Sequence, residues 1–527
     1  MSFNDDEEIV SNDNAAGNNA DVFDLDKISL KFQNADEAPL EEFNLRVMLE
    51  LTAVGDVSHR PGLDLVTVLD ISGSMKGRKL KEMKRAMQFM LKKLSPIDRL
   101  SVITFSNNAC RLCPLTQMTE DSETDVMVLI DDIVAGGETN ITEGLQTAVK
   151  VLDERRFKDR RSAAIMLMSD GEQNRGGDAA QVEVSNVPVY TFGFGTGGKD
   201  PKAMADVLNA IAENSQGGTF SNVEKVKDLN MAFAKCLGGL LTVAVQGFIL
   251  NIAPVKGYTR IDKVSAGDYE TTEHDGTVNI TFGVLYQKET RRVMVNLVLS
   301  EVPKRVSRPV VSVQGKASND LKLDKLENKE FGNISSARVI RTPNFKGLKK
   351  DEVIIEESRL ETAEMMKEAR AMADNNDLNG AKNKIIKAQS MLDDVDLQGT
   401  VKMLEMLKQE LDQFMAYLQS PELYKKHGRA FALSSELSHA RQRFAARGDM
   451  DKLSLFSTPR MDAYQQQAKS FDKDPTKPVP TVEEDQKQDI IADPLSPIIA
   501  PLTRFLQQAI EALQSIAFIL NSASPQG

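Results

Sequence analysis

Between residues 63 and 239 the spacing of hydrophobic positions switches repeatedly between two patterns. Leu63 to Leu69 is a nearly unbroken apolar run with β-branched Val66, Thr67 and Val68, as strands buried on both faces read. Leu80, Met83, Met87, Met90 and Leu91 then recur at helical spacing over 77–94. Strands are predicted at 100–105, 110–115, 163–168 and 187–194, and helices at 121–134, 142–153, 201–214 and 224–239. Such alternation implies a mostly parallel sheet with helices on both faces.

Around this α/β unit the period drops to two. Leu45, Val47, Leu49 and Leu51 alternate with polar residues, and the stretches 241–252, 278–282 and 291–299 behave alike. Strands with one apolar face suggest antiparallel sheets packed as a sandwich, whose strands on either side of the α/β insert can pair. From Asp351 helix formers dominate. Leu360, Ala363, Met366, Ala369 and Met372 share one face, Asn375 to Gly380 breaks the helix, and 381–392 resumes it; a third helix spans 397–418. The methionines read as core fillers.

The division is therefore 1–26, an acidic disordered arm; 27–60 and 240–350, a β-sandwich-like domain; 61–239, the α/β insert; 351–471, a helical domain; 472–501, a Pro-rich linker; and 502–527, an amphipathic helix. In that last helix Leu502, Leu506, Ile510, Leu513, Ala517 and Leu520 lie opposite Arg504, Gln507, Gln508 and Glu511. Its polar face rules against spanning a membrane, and it can dock on another helix, self-associate through 502–520, or lie on a membrane surface.

The 527 residues are 41% hydrophobic, enough for several cores. A formal charge of -12 with no Trp argues against nucleic acid, which needs a basic footprint and stacking rings. Residues 1–26 hold eight acidic side chains and no Lys or Arg, so they read as solvated. No secretory signal is visible and three cysteines are too few for a disulfide framework, so cytoplasmic residence is expected. Cys110 and Cys113, at odd spacing on an edge strand, face opposite sides and read as packing residues.

Candidate chemistry gathers where the first strand ends. Asp70-Ile71-Ser72-Gly73-Ser74 places a carboxylate and two alternate hydroxyls in a turn at the carboxyl edge of the sheet, where open α/β sheets bind ligands. Gly136-Gly137-Glu138-Thr139 presents another hydroxyl, and the strand ending at Met168 leads into Ser169-Asp170-Gly171. Oxygens of this kind suit a hard cation such as Mg2+, with retained water completing the shell. Gly193 to Gly198 also fits G-x-G-x-x-G, yet it lies on a late strand and no ribose-binding acid follows about twenty residues on, so a plain strand-to-helix turn is expected.

Asp70, Ser72, Ser74, Thr139 and Asp170 occur in the order of the metal-ion-dependent adhesion site of the von Willebrand factor type A (vWA) family, which this chain resembles. The resemblance implies the Rossmann-like vWA fold. It also implies that Ser72, Ser74 and Thr139 ligate a divalent cation (Mg2+, or Ca2+ or Mn2+) through hydroxyls, and Asp70 and Asp170 directly or through water. The whole arrangement, over about residues 40–470, resembles plant-type vWA proteins with a C-terminal vWA-interacting helical domain. Many of those are RING-bearing ubiquitin ligases, and the Cys and His ladder of a RING is not found here.

The function expected from this is non-enzymatic: a protein-protein interaction scaffold whose metal captures an Asp or Glu of a partner protein. His59, His274, His427 and His439 show no pairing with Ser72 or Ser74 of the kind a hydrolase needs. The alternatives are an adaptor or regulatory member of a ubiquitin-ligase-related family, and a self-assembling structural protein acting through its carboxyl-terminal helix.

Overall fold

The computed structural model describes residues 2–9, 28–54, 60–171, 173–184, 187–195, 201–316, 335–347, 349–397 and 401–492. The carboxyl-terminal amphipathic segment 502–527 and residues 10–27 of the acidic arm lie outside them, as does the end of the glycine-rich turn at 196–200.

Strands β1 (Ile28–Asn34), β2 (Glu37–Ala38) and β3 (Phe43–Ala53) precede the insert. The insert builds β4 (Gly62–Asp70), α1 (Arg78–Leu91), β5 (Arg99–Phe105), β6 (Ala109–Arg111), β7 (Thr116–Gln117), α2 (Glu120–Asp131) and α3 (Ile141–Asp153). It continues with β8 (Arg161–Ser169), β9 (Val189–Phe194), α4 (Pro201–Glu213), β10 (Phe220–Val223) and α5 (Leu229–Leu240). Its sheet runs β10-β9-β8-β4-β5-β6, with β7 also on β5. The strands from β10 to β5 are mutually parallel, while β6 and β7 are antiparallel to β5. Every residue of β4 from Leu63 to Asp70 is buried, as the unbroken apolar run requires with helices on both faces. Short β10 was missed by the sequence reading because four residues carry no period.

The expected pairing across the insert is present. β3 pairs antiparallel with β15 (Thr290–Leu299), Thr52 opposite Thr290 and Phe43 opposite Leu299. Between them in sequence lie β11 (Val243–Pro254), β12 (Thr259–Ser265), β13 (Glu270–His274) and β14 (Thr277–Tyr286); β16 (Val306–Lys316) and β17 (Ser335–Arg341) follow. The sheets β1-β3-β15-β12 and β13-β14-β11-β16-β17-β2 enclose one apolar core around Val47, Leu49, Phe248 and Ile280.

Helices α6 (Asp351–Asp374) and α7 (Leu378–Asp393) form the expected hairpin, with Asn376 at the break in the left-handed region (φ 64°). Then follow α8 (Lys402–Tyr417), α9 (Pro421–Leu423), α10 (Arg429–Arg441), α11 (Pro459–Lys473) and α12 (Val482–Ala492). The helical region wraps the insert. Asn222 N–H donates to the Ala446 carbonyl at 2.8 Å and Ser434 Oγ to the Phe220 carbonyl at 2.7 Å, which seals the β10 edge. Two expectations are corrected. Residues 472–492 of the expected Pro-rich linker are not a plain linker: Thr481 and Glu484 cap each other's backbone and start α12, whose Asp485 pairs with buried Lys93 at 2.8 Å, while the rest of it lies outside the described residues. Residues 2–9 of the acidic arm are docked on the insert rather than solvated, because arginines there donate to their carboxylates.

The three regions meet at a buried charge cluster. Glu289, in the turn between β14 and β15, accepts from Arg443 Nε at 2.9 Å and pairs with Arg291 at 2.7 Å; Arg443 also reaches the Gly217 carbonyl at 2.9 Å. Burial raises the Glu289 pKa, but Arg291 and Arg443 outweigh it and hold the carboxyl down at about 2. A depressed carboxyl contributes stability above its ordinary pKa and loses it as pH falls toward the folded value. Denaturant unfolding should therefore show stability falling from about pH 4.5 toward pH 2. Glu289→Gln, which strands two buried guanidiniums, should cost about 3 kcal/mol at pH 7 and shrink that acid limb.

Candidate functional site at the carboxyl edge of the sheet

β4 and β8 lie side by side in register Leu69 to Met168, so Asp70 and the Ser169-Asp170 pair emerge together at one end of adjacent strands. Both carboxylates are fully buried. Two like charges in a low dielectric repel strongly, and the surrounding donors reflect this. Ser72 N–H donates to Asp70 Oδ1 at 2.8 Å and Ser169 Oγ to Asp70 Oδ2 at 2.6 Å. Ser74 Oγ donates to Asp170 Oδ1 at 2.7 Å, and the Ser72 and Ser74 hydroxyls lie 2.9 Å apart. Four of the five sequence-predicted residues thus form one hydrogen-bonded chain from carboxylate to carboxylate. Burial, with the charge of Asp170 adding to it, pushes the Asp70 carboxyl up to about 6 despite these donors.

The fifth, Thr139, is buried on a loop laid across the first. Gly136 N–H donates to the Ile71 carbonyl at 2.7 Å and Gly73 N–H to the Gly137 carbonyl at 3.0 Å. Gly137 needs its left-handed backbone (φ 90°), and a Cβ there would lie 2.8 Å from Asn107 Oδ1. Asn140 then caps α3, accepting from Glu143 N–H at 3.2 Å, which fixes the residue before it. Thr139 N–H donates to Asn174 Oδ1 at 2.8 Å and its carbonyl accepts from Asn174 N–H at 3.1 Å, tying the loop to the segment after Asp170. Gly73 itself lies in a right-handed 3-10 turn over Gly73–Met75. A Cβ there would make an ordinary 3.4 Å contact with the Gly137 carbonyl; the left-handed turn residue is Gly77 (φ 81°).

Two participants escaped the sequence reading. Ser169 is the serine before Asp170, and its position opposite Asp70 follows only from the strand register. Lys79, on the first turn of α1, pairs with Asp170 Oδ2; nothing in sequence tells it from Lys76, Arg78 and Lys81, which are exposed beside it. Among the described residues no group of three or more His, Cys, Asp and Glu gathers. The candidate donors here are two carboxylates and hydroxyls, a set that fits a hard, oxygen-seeking cation. Of the histidines, His439 is buried against Glu410 at 3.0 Å, His427 stacks on Tyr417 and His274 is exposed on β13, all away from Ser72 and Ser74; His59 lies outside the described residues. Cys110 is exposed and Cys113 is buried, but β6 ends at Arg111, so Cys113 lies beyond the strand expected over 110–115 and its burial is not set by strand alternation. No helix among the described residues is long and apolar enough to cross a membrane.

Comparison with known proteins bears on the fold. A model of the von Willebrand factor type A domain matches residues 64–235, and a model described as VWA / Hh protein intein-like matches residues 401–470. The E3 ubiquitin-protein ligase WAV3 of Arabidopsis thaliana is 32% identical over 269 residues, which is 49% of this chain and 34% of the ligase. The uncharacterized protein sll0103 of Synechocystis is 28% identical over 287 residues, 52% of this chain and 66% of that protein. The chain thus matches about a third of the plant relative's length. Among solved structures, von Willebrand factor type A from Catenulispora acidiphila aligns with a TM-score of 0.58 at 17% identity, covering 80% of this chain and 97% of that one. This protein therefore carries a von Willebrand factor type A domain, followed by a helical region matched by the VWA / Hh protein intein-like model.

Proposed function

We propose that this protein is a non-enzymatic interaction scaffold in which Asp70, Ser72, Ser74, Thr139 and Asp170 hold a divalent cation, Mg2+ or else Ca2+ or Mn2+. A partner protein then supplies an Asp or Glu to complete the coordination. The observation that carries the reading is the pair of fully buried carboxylates at adjacent strand ends, linked through the Ser72 N–H and the Ser72 and Ser74 hydroxyls. A cation there would relieve their repulsion. Lys79 already neutralises one oxygen of Asp170, so a bound ion would keep net positive charge for an incoming carboxylate. Exposed Lys76, Arg78 and Lys81 favour the same sign of partner.

The likeness to a plant ubiquitin ligase supports a second reading, an adaptor or regulatory role beside such ligases. Co-precipitation with ubiquitin-conjugating proteins would favour it over a self-standing scaffold.

Two experiments test the first reading. In chelator, Asp70→Asn should stabilise the protein by about 1 kcal/mol, because one of two like buried charges is gone while the amide oxygen still accepts from Ser72 N–H. With millimolar Mg2+ the order should reverse, since only the wild type gains from binding; equal responses to Mg2+ would refute the site. In affinity capture, partner proteins should be retained with Mg2+, released by chelator, and lost in Ser72→Ala. Retention that ignores all three conditions would end the metal-led account.

A further inference from the structure

At the pole opposite the metal edge, where β4 and β5 begin, arginines crowd together. Asp64 accepts from Arg99 Nε and Nη2 at 2.8 and 2.7 Å, from Arg155 at 2.7 Å and from Arg161 at 2.7 Å. One carboxylate facing three guanidiniums leaves an excess of positive charge in a largely buried setting, which calls for further anions.

Residues 2–9 supply them, in extended form and by side-chain recognition. Asp6, 2% exposed, accepts from Arg99 Nη1 at 2.7 Å, Arg156 N–H at 2.8 Å and Phe157 N–H at 3.0 Å. Asp5 takes both Arg111 nitrogens at 2.7 Å each. Glu7 accepts from Gln117 N–H at 2.6 Å through its carboxylate, and its own N–H donates to the Leu115 carbonyl at 3.0 Å. The Phe3 ring meets two cations, 4.2 Å from the Arg111 guanidinium and 4.6 Å from the Lys150 ammonium. An aromatic anchor, bidentate arginine forks and backbone donors form a peptide-recognition arrangement. The segment forms no strand or helix of its own, and residues 10–27 join it in sequence to β1.

We propose that this arginine-lined groove is a receptor for acidic peptides of the pattern aromatic-x-acidic-acidic-acidic, and that residues 2–9 occupy it in cis as an intramolecular competitor. The site is separate from the metal edge, so its fate does not depend on that reading. A tethered competitor at an effective concentration of about 1 mM weakens an outside ligand of about 10 µM affinity roughly a hundredfold. The occupant favoured by the charges is a partner protein's acidic segment, admitted when the cis segment is displaced.

The test uses a fluorescent peptide of residues 1–9 as probe, with the full chain, a full chain released by Phe3→Ala, Asp5→Lys and Asp6→Lys, and a deletion of residues 1–9. The released and deleted chains should bind the probe at about 10 µM and the wild type roughly a hundredfold more weakly. A probe with Asp5, Asp6 and Glu7 neutralised should not bind. Arg111→Glu in the released chain should abolish binding, and a probe carrying Asp5→Lys should restore it. Folded variants that ignore the probe, or a wild type that binds it as tightly as they do, would overturn the proposal. So would loss of folding in both variants, since the segment would then be structural. Dimers of the wild type that vanish on deletion would also overturn it, by assigning the occupant to a second copy.

Discussion

Two aspartates that have little freedom to move apart, and almost no water around them, set the terms for the rest of this molecule. Asp70 and Asp170 are placed by the parallel register of β4 and β8, which the apolar cores on both faces of the sheet hold fixed. Their repulsion is tempered by donors from Ser72, Ser74 and Ser169 and by the Lys79 ammonium. α3 presses close on β4 and β5, where a Cβ on Gly144 would meet Val68 and Phe105 at a tight 3.0 Å. The loop carrying Thr139 is thereby held over the turn carrying Ser72. The site is stiff because its geometry is fixed by sheet register, helix capping and backbone bonds between loops.

The flanking regions extend this rigidity. β3 and β15 close the sandwich behind the insert, and Glu289 joins sandwich and helical region through Arg291 and Arg443. α5 is buried on nearly every side against α11, with Lys235 reaching Asp462 at 2.9 Å. A second buried cluster, Glu410 with Arg447 and His439, fixes α8 against α10. Charges sealed between elements specify which surfaces meet, since a shifted packing would leave them unpaired.

The sequence made the first strand, the metal-type motif and the inserted order of regions legible, because long apolar runs and period-two stretches report burial directly. Less was visible where burial is unusual. α10 has no polar face to reveal it, since Ser434, Ser435 and Ser438 are wholly buried alongside its apolar residues. α12 was hidden among prolines, although Thr481 and Glu484 spell a capping box. Residues 5–7 look solvated by composition, and only the fold brings Arg99, Arg111 and Arg156 to meet them. Lys79 and Ser169 join the site through helix phase and strand register, which local patterning does not encode.

Electron paramagnetic resonance of Mn2+ titrated into the intact chain addresses the central claim most directly, since the ion reports its own coordination by oxygen. The account predicts one bound Mn2+ per chain, displaced by excess Mg2+, with binding lost in Asp170→Asn. A spectrum that stays that of free Mn2+ at every protein concentration, or binding untouched by that substitution, would contradict it.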